Sequence, residues 1–282
     1  MDDVFAANLD QPVPPEIGAM AAHVRKNHQG VRAVLAYGSC LRGVATMESL
    51  IDLYVLTHDL SGVSSNVFSR LGCRLVPPNV HYAECDYEGR RYRAKYAVLP
   101  VRLFGEWMTA GNPYFWARFS QPSTLVFAAD DAARQQVGDA ITQAARTMYG
   151  NALGLGGSPD PLDIWARGFA ATYATELRAE SPSRADAIVA ANAAYYRQLG
   201  TALETVEPIA SNWRVKCFAG KLWSVARLLK AAFTFTGGAD YLVWKIERHS
   251  GQKITLTDWQ RRHPIISGLT LLPQLLKRGA VR

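Results

Sequence analysis

Three residues combine type and spacing in a way that suits chemistry: Gly38 and Ser39, which close the run Leu35-Ala36-Tyr37, and Asp52, inside the apolar run Leu50-Ile51-Asp52-Leu53-Tyr54-Val55. A strand that ends on Gly-Ser and opens a helix makes an anion site. Glycine lets the backbone approach a phosphate closely, and the N–H groups of Gly38, Ser39 and the helix N-terminus favour negative charge there. The Ser39 hydroxyl adds a donor for a phosphate oxygen. An ionised aspartate in an apolar strand costs free energy unless it has a partner. On the neighbouring strand, Asp52 is placed to hold Mg2+, which would bridge phosphates and neutralise charge building on a departing pyrophosphate. The competing reading makes Asp52 a strand-end acid paired to an arginine.

In its strand–turn–strand setting the pattern reads as a nucleotidyltransferase. Enzymes of the polymerase-β type usually carry two acids in the second strand, one residue apart. Here the second place is Tyr54. Either another segment supplies the missing acid, or the site is degenerate.

Several elements must position these residues. A helix is expected over 16–27, then strands over 31–36 and 50–56. Runs 80–85 and 91–98 flank Tyr87-Glu88-Gly89 and read as a hairpin, with Gly89 supplying the positive φ of the turn. A helix over 101–110, a strand over 123–128 and a helix over 132–149 capped by Asp130 and Asp131 follow. The segment Gly154-Leu155-Gly156-Gly157-Ser158-Pro159 can continue neither helix nor strand. Beyond it, 162–179, 184–205 and 213–233 show apolar residues at three- and four-residue spacing. The expected fold is α+β: a nucleotidyltransferase domain with a mixed sheet over 1–150, then a mainly helical domain over 160–282.

Composition narrows the class. Of 282 residues, 49% are hydrophobic and 20% charged, which fits a globular chain rather than a disordered one. No run reaches the roughly 18 apolar residues needed to cross a bilayer, and Met1-Asp2-Asp3 is unlike the basic start of a signal peptide. Cys40, Cys73, Cys85 and Cys217 form no CxxC pair and no zinc pattern, as expected of reduced thiols in a cytoplasmic protein. The net charge of +7 is uneven. Residues 211–282 hold 13 Lys or Arg against Asp240, Glu247 and Asp258, a balance of +10, which leaves −3 for residues 1–210. A basic final third suggests an anionic partner.

Beyond the first motif, the chain resembles the phosphatidate cytidylyltransferase (CDP-diacylglycerol synthase) family of mitochondria and bacteria, within the polymerase-β-type superfamily. That family joins a Tyr-Gly-Ser loop to a single Asp in the next strand, so Tyr54 is no departure from it. Gly89-Arg90 with Lys95-Tyr96-Ala97-Val98 is similar to its Gly-Arg…Lys-Tyr-Gly-Val strand. Ala117-Arg118-Phe119-Ser120-Gln121-Pro122 is similar to its Gly-Arg-x-x-Lys-Pro segment, with Gln121 for the lysine. Tyr173-Ala174-Thr175-Glu176-Leu177-Arg178 resembles Tyr-x-Gly-Asp-x-Arg, and Ala194-Tyr195-Tyr196-Arg197 fits the helix after it. Arg227 to Thr234 resembles a late Arg-x-x-Lys-Gly-x-x-Thr stretch.

The resemblance implies transfer of CMP from CTP to phosphatidic acid, with Mg2+ as cofactor, at the inner face of a membrane. It implies Asp52 and Glu176 for the metal, and Tyr37, Gly38, Ser39, Lys95 and Arg118 for the nucleotide. Arg178, Arg227 and Lys230 would take the acceptor phosphate. Glu176 would stand in for the missing second acid, its other role being a helix acid paired with Arg178. The apolar and basic stretches 222–235 and 265–282 suit a peripheral anionic membrane surface, or a helix packed on its own domain. Two other functions remain open: a nucleotidyltransferase acting on a sugar phosphate, RNA or protein, and a non-enzymatic nucleotide- or lipid-binding protein.

Overall fold

In a computed structural model of the chain, residues 2–41, 50–176, 182–235, 237–250 and 255–262 are described. Five strands, β1 (Val31–Tyr37), β2 (Leu50–Thr57), β3 (Asn79–Tyr87), β4 (Arg90–Pro100) and β5 (Ser123–Ala128), form one sheet in the order β3-β4-β2-β1-β5. The β2–β4 pair is parallel and the other three pairs are antiparallel. The sheet is thus mixed and the chain α+β, as expected.

The helices before the long central one are α1 (Asp2–Leu9), α2 (Pro15–Arg25), α3 (Leu60–Val63), α4 (Val67–Leu75), α5 (Val101–Glu106) and α6 (Tyr114–Phe119). Then come α7 (Asp131–Leu153), α8 (Pro161–Tyr173), α9 (Pro182–Ala191), α10 (Ala193–Ala202), α11 (Trp213–Thr234), α12 (Gly238–Ser250) and α13 (Asp258–Arg262).

Both faces of the sheet are covered, which is why β2 reads as a nearly continuous apolar run. Helix α2 lies across one face, burying Ile17, Met20 and Val24. On the other face Tyr54 packs edge-on against Phe119, with ring centroids 4.8 Å apart, and against Phe115. The place of a second acid is therefore filled by a fully buried aromatic ring. A carboxylate there would lie among Phe104, Phe115 and Phe119, where an unpaired charge costs several kcal/mol. The buried core runs without interruption from Leu9 to Leu203 and includes Trp165, Phe169 and Tyr196 of the later helices.

Local chemistry sets the element ends. Glu88 and Gly89 both have positive φ, 49° and 72°, the two-residue turn that matches strand twist. Asp130 caps α7 by accepting from the Ala133 N–H at 2.8 Å. Three expected helices are shorter or broken. The one over 101–110 ends at Glu106, and the Trp116 indole donates to the Ala110 carbonyl where that helix would have continued. The one over 184–205 breaks at Asn192, whose amide donates to the Ile188 carbonyl in place of the helical pattern. The one over 162–179 stops at Tyr173. After Gly38 the backbone makes a 3-10 turn over Gly38–Leu41 rather than entering the expected helix, and residues 42–49 lie outside the described set. No described helix is long and apolar enough to cross a membrane.

Candidate active site

The site grows from one row of the sheet. Tyr37 of β1 pairs with Asp52 of β2, and Asp52 pairs with Lys95 of β4. Side chains opposite one another in adjacent strands share a face about 4.8 Å apart, so Tyr37, Asp52 and Lys95 stand side by side. Gly38 follows at the strand end with φ +83°, a conformation that favours glycine. A Cβ there would meet Asp52 Oδ2 at 3.3 Å.

Above this row is a cleft of about 490 Å³. Tyr37, Gly38 and Asp52 form its floor, Tyr114 and Arg118 of α6 one wall, and Tyr173, Thr175 and Glu176 at the end of α8 another. Helix α11 closes it with Gly220, Ser224 and Arg227, spaced four and three residues apart and so on one face. Gly220 makes this closure possible, because a Cβ there would come 2.6 Å from the Thr175 carbonyl oxygen.

Arg118, Arg184 and Arg227 line the cleft against Asp52 and Glu176. The Arg227 guanidinium lies 3.5 Å from the centroid of the Tyr114 ring, and Arg118 lies 5.1 Å from both the Tyr114 and Tyr37 rings. Arg118 Nε and Arg227 Nη1 are buried and have no hydrogen-bond partner among the described residues, although Arg227 Nη2 donates to Ser224 Oγ at 3.1 Å. Arg118 is within electrostatic reach of both Asp52 and Glu176. Burial raises the Asp52 pKa from its ordinary value, against the pull of Arg118 and Lys95. Burial also raises the Tyr37 phenol far above its usual value. Tyr114 goes the other way: burial would raise it, but Arg118, Arg227 and Lys95 together lower it.

Of the residues singled out from sequence, Tyr37, Gly38, Asp52, Arg118, Glu176 and Arg227 line this one cleft. Lys95 stands beside Asp52, one strand away. Glu176 sits in the turn after α8 rather than on a helix shared with Tyr173. Arg178 and the Ser39 side chain lie outside the described set.

Lys230 is not brought to the cleft. Its ammonium donates to the Val76 and Pro78 carbonyls and to Asn79 Oδ1, at 2.6, 2.5 and 3.0 Å. All three N–H donors are thereby used, which leaves none for a phosphate and makes Lys230 a tie between α11 and the start of β3. Sequence reasoning missed Tyr114 and Arg184, which also line the cleft; for Tyr114 a signal existed. Its position one helical turn before Arg118 was the available signal.

No protein family matches the chain, and no curated protein matches it. Among solved structures it is similar to a nucleotidyltransferase-like protein from Exiguobacterium sibiricum 255-15. The identity is 12%, over 94% of this chain and 91% of that one, with a TM-score of 0.28. A superposition that loose transfers neither fold nor activity.

Proposed function

We propose that the protein is a Mg2+-dependent nucleotidyltransferase that moves CMP from CTP to phosphatidic acid, giving CDP-diacylglycerol and pyrophosphate. The observation that carries the reaction class is the convergence of Arg118 and Arg227 on the cleft whose floor is Gly38 and Asp52. Two guanidinium groups at a strand-end glycine and an acid are the charge pattern that binds a polyphosphate. The choice of CTP and phosphatidic acid rests on the sequence resemblance.

The donor set suits Mg2+. The ion characteristically takes one or two carboxylates and completes its shell with water and substrate phosphates. Among the described residues no group of three or more metal-ligating side chains exists, while Asp52 and Glu176 share the cleft. When bound, the ion would neutralise charge on the triphosphate and the leaving pyrophosphate.

The residues divide the rest of the work. Gly38, with Tyr37 and Ser39, lets the backbone reach the triphosphate. Lys95 and Arg118 attract its charge, Lys as a compact point charge and Arg as a planar fork. Arg227, with Arg178 by resemblance, receives the acceptor phosphate. An oxygen of that phosphate attacks the α-phosphorus of CTP, and the bond from that phosphorus to the oxygen bridging to the β-phosphate breaks.

The test is a panel of nucleoside triphosphates with Mg2+, with phosphatidic acid or soluble phosphate acceptors, scoring pyrophosphate and lipid product. CTP with phosphatidic acid should give both. Pyrophosphate released only with a soluble acceptor would replace the lipid in this reading. No pyrophosphate under any condition would leave a binding protein instead.

A further inference from the structure

We infer that Tyr241 of α12 belongs to the reaction site, its hydroxyl donating to a phosphate oxygen of the nucleotide held at Asp52. The inference deepens the function proposed above and rests on it for the identity of the ligand. The stretch that resembles a known family ends at Thr234 and assigns α12 no role.

The row of side chains through Asp52 does not end at Lys95. Lys95 pairs with Tyr82 of β3, so Tyr37, Asp52, Lys95 and Tyr82 run across four neighbouring strands on one face. Arg93 and Glu84, two residues from Lys95 and Tyr82 along their strands, share that face. The cleft lies over the Tyr37 half of the row. Helix α12 lies over the other half. The Tyr241 ring is 5.7 Å from the Tyr82 ring, and the Arg93 guanidinium is 5.9 Å from the Trp244 ring. Asp52 is where the two coverings meet.

The turn into α12 is built for this approach. Gly237 has φ +75°, and a Cβ there would come 2.8 Å from the Tyr82 carbonyl oxygen and 3.2 Å from Tyr82 Cβ. A side chain at that position would push α12 off β3. The Tyr241 N–H closes the first turn of the helix by donating to the Gly237 carbonyl at 3.0 Å. Phe235 and Trp244 pack against the same ring, at 5.7 and 6.1 Å. Packing therefore fixes the Tyr241 ring over β3.

Its hydroxyl is within electrostatic reach of Asp52, whose charge adds to burial in raising the Tyr241 pKa. A phenol shifted that way stays protonated at neutral pH and remains a donor. Tyr82 is no substitute, because its own hydroxyl donates to Glu84 Oε1 at 2.7 Å. An O–H donor beside Asp52 and Lys95 is what charge developing on a phosphate oxygen requires, since a carboxylate can only accept. No proton leaves the tyrosine, so the bonds made and broken in the transfer are those given above.

Tyr241→Phe and Tyr241→Leu are compared with wild type as full-length protein. Each is read by thermal melting, by pyrophosphate release from CTP with Mg2+ and phosphatidic acid, and by binding of tripolyphosphate with Mg2+. Tripolyphosphate carries neither base nor acceptor and reports the phosphate contact alone. Tyr241→Phe keeps the ring, so its melting temperature should match wild type. Its kcat/KM should fall at least about tenfold, the loss of a hydrogen bond to a charged group. Tyr241→Leu should lose as much and also melt lower, because the ring contacts go with it.

Wild-type kcat/KM in Tyr241→Phe, with a loss only in Tyr241→Leu, makes Tyr241 a packing residue and overturns the inference while the enzyme reading stands. Wild type that binds tripolyphosphate but releases no pyrophosphate overturns the enzyme reading. In that case, binding weakened about tenfold in Tyr241→Phe keeps the phosphate contact, and equal binding overturns it too. Wild type that neither binds nor turns over overturns both.

Discussion

The Asp52 carboxylate lies against the Cα of Gly38, so close that a methyl group on the glycine would stand 3.3 Å from Oδ2. The strand-end glycine and the acid of the next strand thus form one unit, set by the Tyr37–Asp52 register. Gly38→Ala should cost about 1–2 kcal/mol for the left-handed backbone and should also crowd the acid. Asp52→Asn should keep the melting temperature and lose turnover by at least about a hundredfold. Thermal melts and pyrophosphate release on the two variants check both expectations; full turnover in the Asn variant removes Asp52 from the chemistry.

Activity should fail on the acid side at a higher pH than an ordinary carboxylate would dictate. Burial raises the Asp52 pKa, Arg118 and Lys95 oppose it, and the ionised form is the one that attracts a cation. Activity is therefore present above the raised pKa and lost as pH falls through it. Lys95→Gln removes one opposing cation and should move the acid limb further up. An acid limb unmoved in that variant would mean that another group controls it.

Tyr114 should act by positioning. Its ring carries Arg227 at 3.5 Å and Arg118 at 5.1 Å, contacts worth about 0.5–2 kcal/mol each. Tyr114→Leu should raise KM several-fold with a smaller change in kcat, and Tyr114→Phe, which keeps the ring, should restore KM. A variant pair that behaves alike would assign the effect to the hydroxyl.

Lys230→Ala should behave as a stability variant. It strips the Val76 and Pro78 carbonyls of a charged donor, at about 1–3 kcal/mol for the groups left behind. The melting temperature should fall while the KM for nucleotide and acceptor stays within about twofold. A large rise in acceptor KM at unchanged stability would restore Lys230 to the phosphate site.

Glu176→Gln should raise the Mg2+ concentration for half-maximal activity about tenfold if the carboxylate helps to hold the ion. Titration of activity with Mg2+ reads this directly. An unchanged titration would leave Glu176 as the electrostatic counterpart of Arg118 alone.

Residues 31–36 and 50–56 were legible as strands because burial on both sheet faces demands continuous apolar runs, and the lone acid within the second stood out for the same reason; each strand runs one residue further. The Glu88–Gly89 turn and the Asp130 cap were legible because each is decided by residues two or three positions apart. Helix lengths were not, where a distant or competing donor took over: the Trp116 indole at Ala110, the Asn192 amide at Ile188.

The cleft itself is a tertiary product. Arg118 and Arg227 are separated by 108 intervening residues and meet on Tyr114 only because Gly220 lets α11 close over Thr175. Sequence could likewise propose Lys230 as a phosphate ligand, since an ammonium suits one. Only the folded chain could decide otherwise, because which oxygens reach the three hydrogens of Lys230 depends on where α11 crosses α4, and no local rule specifies that crossing.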